Sequence, residues 1–207
     1  MLHRIQKLVY FTTNTLAENK NKMKFNPFPE IKTERLVLRK IKESDYDVIL
    51  FLRSDKIVNK FIDRPENRKT KNETDAIKFI KEISENAKNN KSIAWGITLK
   101  NNPKIVGTIC LWNFSNDRKI AEIGYDLNPA FQRKGIMDEA LKSILNFGFN
   151  KLNLYKIEAF THKENESSIR LLENNRFLFM ENRKDENNTN NIIFEIENPA
   201  FNNVYKK

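Results

Sequence analysis

The segment Gln132-Arg133-Lys134-Gly135-Ile136-Met137 is where this chain's residue types and order suggest chemistry. It lies between an alternating run at residues 119–127 and an amphipathic stretch beginning at Ile136. It therefore reads as a turn from a strand into a helix. First-turn amides have no partner inside their helix, and the helix dipole adds partial positive charge at the same place. Such an end cradles phosphate oxygens. Glycine at 135 would let the backbone approach a diphosphate that a Cβ would obstruct. The chain has only 5 glycines, so this one is not compositional noise. Arg133 and Lys134 add side-chain charge beside it. The segment has no Gly-Lys-Ser/Thr ending and no three-glycine spacing, which excludes a Walker loop and a dinucleotide fingerprint. The competing reading is an ordinary loop with a left-handed glycine before a helix.

Periodicity predicts the elements that position this segment. Residues 33–39 alternate apolar and polar side chains as a half-buried strand does. Ser44 would cap a helix carrying Tyr46, Val48, Ile49 and Leu52, and residues 55–62 read as a second short helical piece. Asn72-Glu73-Thr74-Asp75 opens a longer helix with Ile77, Ile80 and Ile83 at helical spacing. Residues 92–100, 104–114 and 119–127 are consecutive strands, parted by Asn101-Asn102 and Ser115-Asn116-Asp117, so an antiparallel meander is expected. After Asn128-Pro129, one helical stripe holds Ile136, Ala140, Ile144 and Phe147, widened by Met137, Leu141 and Leu145. Residues 155–162 form a strand. Asn165 starts a helix containing Ile169, Leu171 and Leu172, and residues 177–182 and 192–196 close the chain as paired strands. The order predicts an α/β fold of α+β type around a mixed, largely antiparallel sheet.

Composition narrows the function classes. The 207 residues are 39% hydrophobic and 31% charged, a globular balance. The division expected is an appendage at residues 1–23, one domain at 24–200 and a basic tail at 201–207. Residues 1–22 are basic but lack the apolar core of a secretory signal, which points to a cytoplasmic protein. A transit peptide, or a second start at Met23, is the competing reading. With Cys110 the sole cysteine and His3 and His162 the only histidines, neither a disulfide nor a metal site is expected. No apolar run approaches the roughly 18 residues of a membrane helix. The net charge of +10 fits an anionic partner, but lysine and asparagine are spread along the whole chain, as on solvated faces. A nucleic-acid binder would need the aromatic-basic interleaving of an RNA-reading sheet, which is missing.

Three stretches carry a resemblance: TERLVLR at 33–39, IGYDLNPAFQRKGIMDEAL at 123–141 and KIEAFTHKENESSIRLLENNRF at 156–177. In this order they resemble the GNAT superfamily of acyl-CoA-dependent N-acetyltransferases. Within it they are similar to the Rim-type branch, named for N-terminal acetylation of ribosomal proteins. The resemblance covers about residues 30–197. It implies a central, mostly antiparallel mixed sheet of six to seven strands, splayed into a V-shaped cleft, with helices on both faces. It also implies acetyl-CoA as co-substrate and no metal. Pantetheine would pair with the main chain of Tyr125, Asp126 and Leu127. The diphosphate would rest on Gln132, Arg133, Lys134, Gly135, Ile136 and Met137, and Asn165 and Ser168 would face the thiol end. Three departures stand out. Met137 replaces the small residue that ends the family's Gln/Arg-x-x-Gly-x-Gly/Ala motif. Arg176 stands where Gly often precedes the phenylalanine, so Asn175 would take the left-handed turn. Leu172 stands where many relatives carry a tyrosine thought to act as general acid, which leaves that role unassigned.

Acetyl transfer to an amine needs a neutral nitrogen, a positioned thioester, a polarised carbonyl and a proton for the thiolate. Glu122 is the candidate base, acting through a water; an edge carboxylate paired with lysine is the competing reading. Alternation sets Glu122, Gly124 and Asp126 on one face of their strand and Ile123 and Tyr125 on the other. Glu158 is a second carboxylate, better read as a structural partner. Ser168 would hydrogen-bond the departing sulfur, or merely occupy the third position of a helix capped by Asn165. His162 ends a strand, and Cys110 is expected to be a small core residue. Trp95, Trp112 and Phe114 are candidates for an acceptor pocket, with core packing expected for at least one. The activity expected is direct acetyl transfer in a ternary complex to a primary amine: a protein N-terminus, a ribosomal protein's included, or a small amine. A non-catalytic acyl-CoA-binding or ribosome-associated module is the competing class, favoured by Leu172 and Met137. Residues 54–72 and 183–191 match no pattern, and the oligomeric state, a homodimer included, is not legible.

Overall fold

The computed structural model describes residues 24–202. Eight strands form one sheet in the order β1-β2-β3-β4-β5-β6-β8-β7. They are β1 (Ile31–Lys32), β2 (Leu36–Lys40), β3 (Ile93–Leu99), β4 (Asn102–Trp112), β5 (Ile120–Leu127), β6 (Lys156–His162), β7 (Leu178–Phe179) and β8 (Asn191–Glu197). Every neighbouring pair is antiparallel except β5 and β6. The expected meander is β3-β4-β5, and the strand beyond the expected six to seven is the two-residue β1.

The helices are α1 (Tyr46–Ser54), α2 (Glu73–Lys88), α3 (Ile136–Asn150), α4 (Glu166–Asn174) and α5 (Pro199–Asn202). On one face of the sheet, Leu38, Trp95, Ile109, Leu111 and Ile123 pack with Ile136, Ala140, Leu141 and Ile144 of α3 and Leu172 of α4. On the other, Ile41 and Ile105 pack with Val48, Ile49 and Leu52 of α1 and Ala76 and Ile80 of α2. The 3.6-residue stripes read from the sequence are thus the buried faces of the helices.

Local polar chemistry overrides the pattern in three places. Ser44 lies inside a 3-10 turn, Glu43–Asp45, and caps nothing. Asp45 does the work instead: its Oδ2 accepts the Lys42 N–H at 2.8 Å, and its carboxylate is gripped by the Arg39 guanidinium at 2.8 and 2.9 Å. Residues 55–62 form turns, not a helix. Asp55 Oδ1 accepts from the amides of Ile57 and Val58, both at 2.9 Å, and this local alternative outcompetes helical bonding. At the end of α4, Asn175 keeps a negative φ of −97°, and Arg176 itself takes the left-handed turn at φ +65°. Asn175 is committed elsewhere, its side-chain amide donating to Asp138 Oδ1 and to the Leu171 carbonyl, each at 2.8 Å.

Candidate active site

β5 and β6 pair over only three residues: Ile120 with Lys156, Ala121 with Ile157 and Glu122 with Glu158. Each strand continues, held by its outer neighbour. β4 pairs with β5 as far as Leu127, and β8 pairs with β6 as far as His162. The two strands therefore part just beyond the two glutamates, and a V-shaped gap opens between them. The Asn128 N–H donates to the Val106 carbonyl at 2.9 Å. By the alternation of an antiparallel ladder, even-numbered residues of β5 bond to β4, and Ile123, Tyr125 and Leu127 turn their main-chain groups to the gap. The Gln132 side-chain amide at 3.4 Å from the Leu127 carbonyl agrees with this direction. Asp126, expected beside Tyr125 and Leu127, does not share it. Its main chain belongs to the β4 side, and its Oδ1 accepts from the Thr108 amide (3.1 Å) and hydroxyl (2.9 Å). Burial raises the Asp126 pKa against those bonds and the positive charge of Arg64.

The turn at residues 132–137 lies at the open end of β5. Arg133 and Gly135 both have positive φ, +57° and +70°, one on each side of Lys134. α3 begins at Ile136, and the first amide to bond back is Glu139, to the Gly135 carbonyl at 3.1 Å. Among the described residues, the amides of Arg133 through Asp138 donate to no acceptor. Alternating left- and right-handed residues ahead of a helix curl successive N–H groups into an anion-binding hollow. The Lys134 ammonium folds back to the Ala130 carbonyl at 2.8 Å and so stays beside the loop. Met137 buries its side chain in the core and offers the loop only its main chain, so a large residue there does not block the hollow.

The protein's own atoms give a reason for glycine at 135 beside the expected one. A Cβ there would lie 3.2 Å from a guanidinium nitrogen of Arg35. That is the side of the turn on which the Lys134 and Gly135 carbonyls lie. The left-handed backbone and the closeness of Arg35 both favour glycine there.

On the sheet face shared by Glu122, Gly124 and Asp126, the cross-strand partners are Trp112, Cys110 and Thr108. Of the three aromatic candidates, Trp95 is fully buried and Phe114 packs on the core, whereas Trp112 is 48% exposed. Its indole nitrogen lies 3.8 Å from where a Gly124 Cβ would be, so the ring leans over the glycine. Cys110 is half-buried on this face rather than in the core, and burial pushes its thiol up to about 12, far from a nucleophile.

Glu122 has no lysine partner among the described residues; the Asn113 side-chain amide donates to its Oε1. Burial raises its pKa against that bond, and the nearby charges of Glu158 and Asp185 raise it further. Glu158 behaves oppositely. Burial pushes it up, but Arg183 (2.6 Å) and Lys156 (3.0 Å) outweigh burial and hold it low. Two carboxylates at the same register thus have different surroundings, one held low in an ion-pair network and one raised by burial without a cationic partner among the described residues.

On the opposite face, the Ser168 and Tyr125 hydroxyls are 2.8 Å apart. Ser168 also donates its amide to Asn165 Oδ1 at 3.3 Å, the cap arrangement expected at the start of α4. Burial pushes Tyr125 up to about 12, less the effect of the Ser168 bond, so its hydroxyl stays protonated. Leu172 is fully buried. The expected role of Tyr125 involves only its main chain; its alternation opposite Glu122 is the signal in the sequence that sets its side chain on this face.

Both segments without a pattern reach this region. The Phe61 ring stacks on His162 at 5.3 Å, at the end of β6. Arg183 spans Glu158 and Glu195 at 2.6 and 3.0 Å. Among the described residues, no group of three or more His, Cys, Asp or Glu is placed to hold a metal ion, and no helix is long and apolar enough to cross a membrane.

Comparison with known proteins adds four findings. Residues 35–178 match the family described as Acetyltransferase (GNAT) domain. The Uncharacterized N-acetyltransferase YoaA of Bacillus subtilis is 31% identical over 145 residues, 70% of this chain and 80% of that protein. Among solved structures, the ribosomal-protein-S5-alanine acetyltransferase from Vibrio fischeri superposes with a TM-score of 0.71 at 23% identity, covering 83% of this chain and 97% of that one. RimL, a ribosomal L7/L12 alpha-N-protein acetyltransferase solved with coenzyme A, gives 0.71 at 17% identity, covering 83% and 99%. At these identities the two structures speak to the fold.

Proposed function

This chain belongs to the GNAT acetyltransferase family, and from that premise we propose that it acetylates a primary amine held on the Trp112–Glu122 face of the sheet. The observation that carries the reading is the parting of β5 from β6 beside a turn whose amides have no acceptor among the described residues. Acetyl-CoA supplies an activated acetyl thioester. The amides of residues 133–138, with Arg133, hold its diphosphate, and the main chain of Ile123, Tyr125 and Leu127 lines the gap for pantetheine. A main-chain N–H on the parted stretch of β5 polarises the carbonyl. Glu122 draws a proton from the amine through a water. As the C–N bond forms and the C–S bond breaks, the Ser168 hydroxyl, held by Tyr125 at 2.8 Å, hydrogen-bonds the departing sulfur, and the thiolate takes its proton from solvent. The acceptor is read as a protein N-terminal amine in the cytoplasm, a reading supported by the activities printed for the two superposing structures. A small amine is the other member of the same class.

The test is a screen of N-terminal peptides and small amines with acetyl-CoA, read by mass spectrometry and by thiol release. Acetylated product with matching free thiol is expected. Coenzyme binding without thiol release on any amine would instead make the protein a binding module. Trp112→Ala is expected to raise the acceptor KM about 10-fold, since a half-exposed aromatic at a pocket rim contributes roughly 1–2 kcal/mol to a ligand. The affinity for CoA, measured by calorimetry, should not move.

A further inference from the structure

Arg35 precedes β2 and lies 100 positions from Gly135 in the chain, yet its guanidinium closes over the back of the turn. One terminal nitrogen donates to the Lys134 carbonyl at 2.9 Å and the other to the Gly135 carbonyl at 3.1 Å. Its Nε donates to Glu139 Oε2 at 2.6 Å, and its own main-chain N–H donates to Glu139 Oε1 at 2.8 Å. Thr33 adds its hydroxyl to the same Oε1 at 2.5 Å. Each of the three guanidinium nitrogens therefore donates once, to two successive carbonyls and to a carboxylate in the first turn of α3.

A trans peptide points its C=O and its N–H in opposite directions. The Lys134 carbonyl shares its peptide with the Gly135 N–H, and the Gly135 carbonyl shares its peptide with the Ile136 N–H. Fixing both carbonyls toward Arg35 fixes both N–H groups toward the other side of the turn, where the hollow opens. Glu139 sets the fork angle. Burial raises the Glu139 pKa, but the bonds from Thr33 and Arg35 outweigh it and hold the group ionised.

We propose that Arg35, held by Glu139 and Thr33, is a positioning residue for the coenzyme turn, orienting the Gly135 and Ile136 amides toward a diphosphate it does not itself touch. This rests on the proposed role of that turn. It also accounts for a basic residue being spent on carbonyls next to an expected polyanion: the cation lies behind the turn.

The experiment compares two donors, acetyl-CoA and S-acetyl-pantetheine, which lacks the diphosphate, and adds calorimetry with CoA. Wild type should prefer acetyl-CoA in kcat/KM. Arg35→Ala should weaken CoA about 10- to 100-fold, the loss of one or two well-aimed hydrogen bonds to a charged group. Arg35→Lys, with a single point charge, should fall between. With S-acetyl-pantetheine all three proteins should agree within about two-fold, which a merely structural role would not give. Equal use of the two donors by the wild type would remove the diphosphate site and the brace with it. A wild-type preference that survives in both variants would remove Arg35 alone, as would an equal loss on the two donors.

Discussion

Gly135→Trp is expected to abolish CoA binding. Residue 135 has φ +70°, where any L side chain is strained by about 1–2 kcal/mol. The new Cβ would enter at 3.2 Å from the Arg35 guanidinium, and the indole beyond it has to displace that group. The carbonyls of residues 134 and 135 then lose their donors, and the amides behind them lose their direction. Each hydrogen bond from a main-chain N–H to a charged oxygen is worth about 1.5–3 kcal/mol, so losing two costs roughly 100-fold or more in affinity. Gly135→Ala provides the graded control: it keeps the small volume, incurs the same backbone strain and should weaken CoA about 10-fold. Calorimetry with CoA checks both, alongside circular dichroism to show the fold intact. Unchanged affinity in a folded Gly135→Trp protein would detach the turn from coenzyme binding.

Glu122→Gln is expected to lower kcat about 100-fold or more, the ordinary contribution of a positioned general base, while leaving CoA affinity unchanged. The pH profile distinguishes this from a packing defect. The working form of Glu122 is ionised, and burial raises its pKa above the ordinary glutamate value of 4.5. Wild-type kcat/KM should therefore rise with pH through that raised value, and the limb should vanish in the glutamine variant. Stability moves in the other sense. A carboxyl with a raised folded pKa destabilises the fold once ionised. That cost is absent below 4.5, grows as pH rises and is complete above the raised value. The glutamine variant should thus melt no lower than wild type at pH 7, with any advantage fading toward pH 4. Wild-type turnover in this variant would take Glu122 out of the mechanism.

Glu122 and Glu158 show how far residue types alone carry. Both were legible as carboxylates near a cleft, and the pairing of Glu158 was the favoured reading. That Glu122 lies among Asn113, Trp112 and Gly124, with no lysine among the described residues, depends on which strands neighbour β5 and at what register. Likewise the hydroxyl of Tyr125 meets Ser168 across 43 positions, and Arg35 meets Gly135 across 100.

The chain's local patterns determine its elements because they are local physics: apolar stripes at helical spacing bury α1 through α4, and alternation builds the meander. The order of three motifs was enough to indicate the family. Where those patterns failed, at Ser44, residues 55–62 and Asn175, a side chain bonded a nearby backbone or carboxylate instead of the partner that spacing suggested. Only the tertiary structure decided where β5 leaves β6, which main-chain groups that exposes, and which cation braces the turn behind Gly135. Those depend on contacts between segments distant in the chain, and no spacing rule along a single strand encodes them.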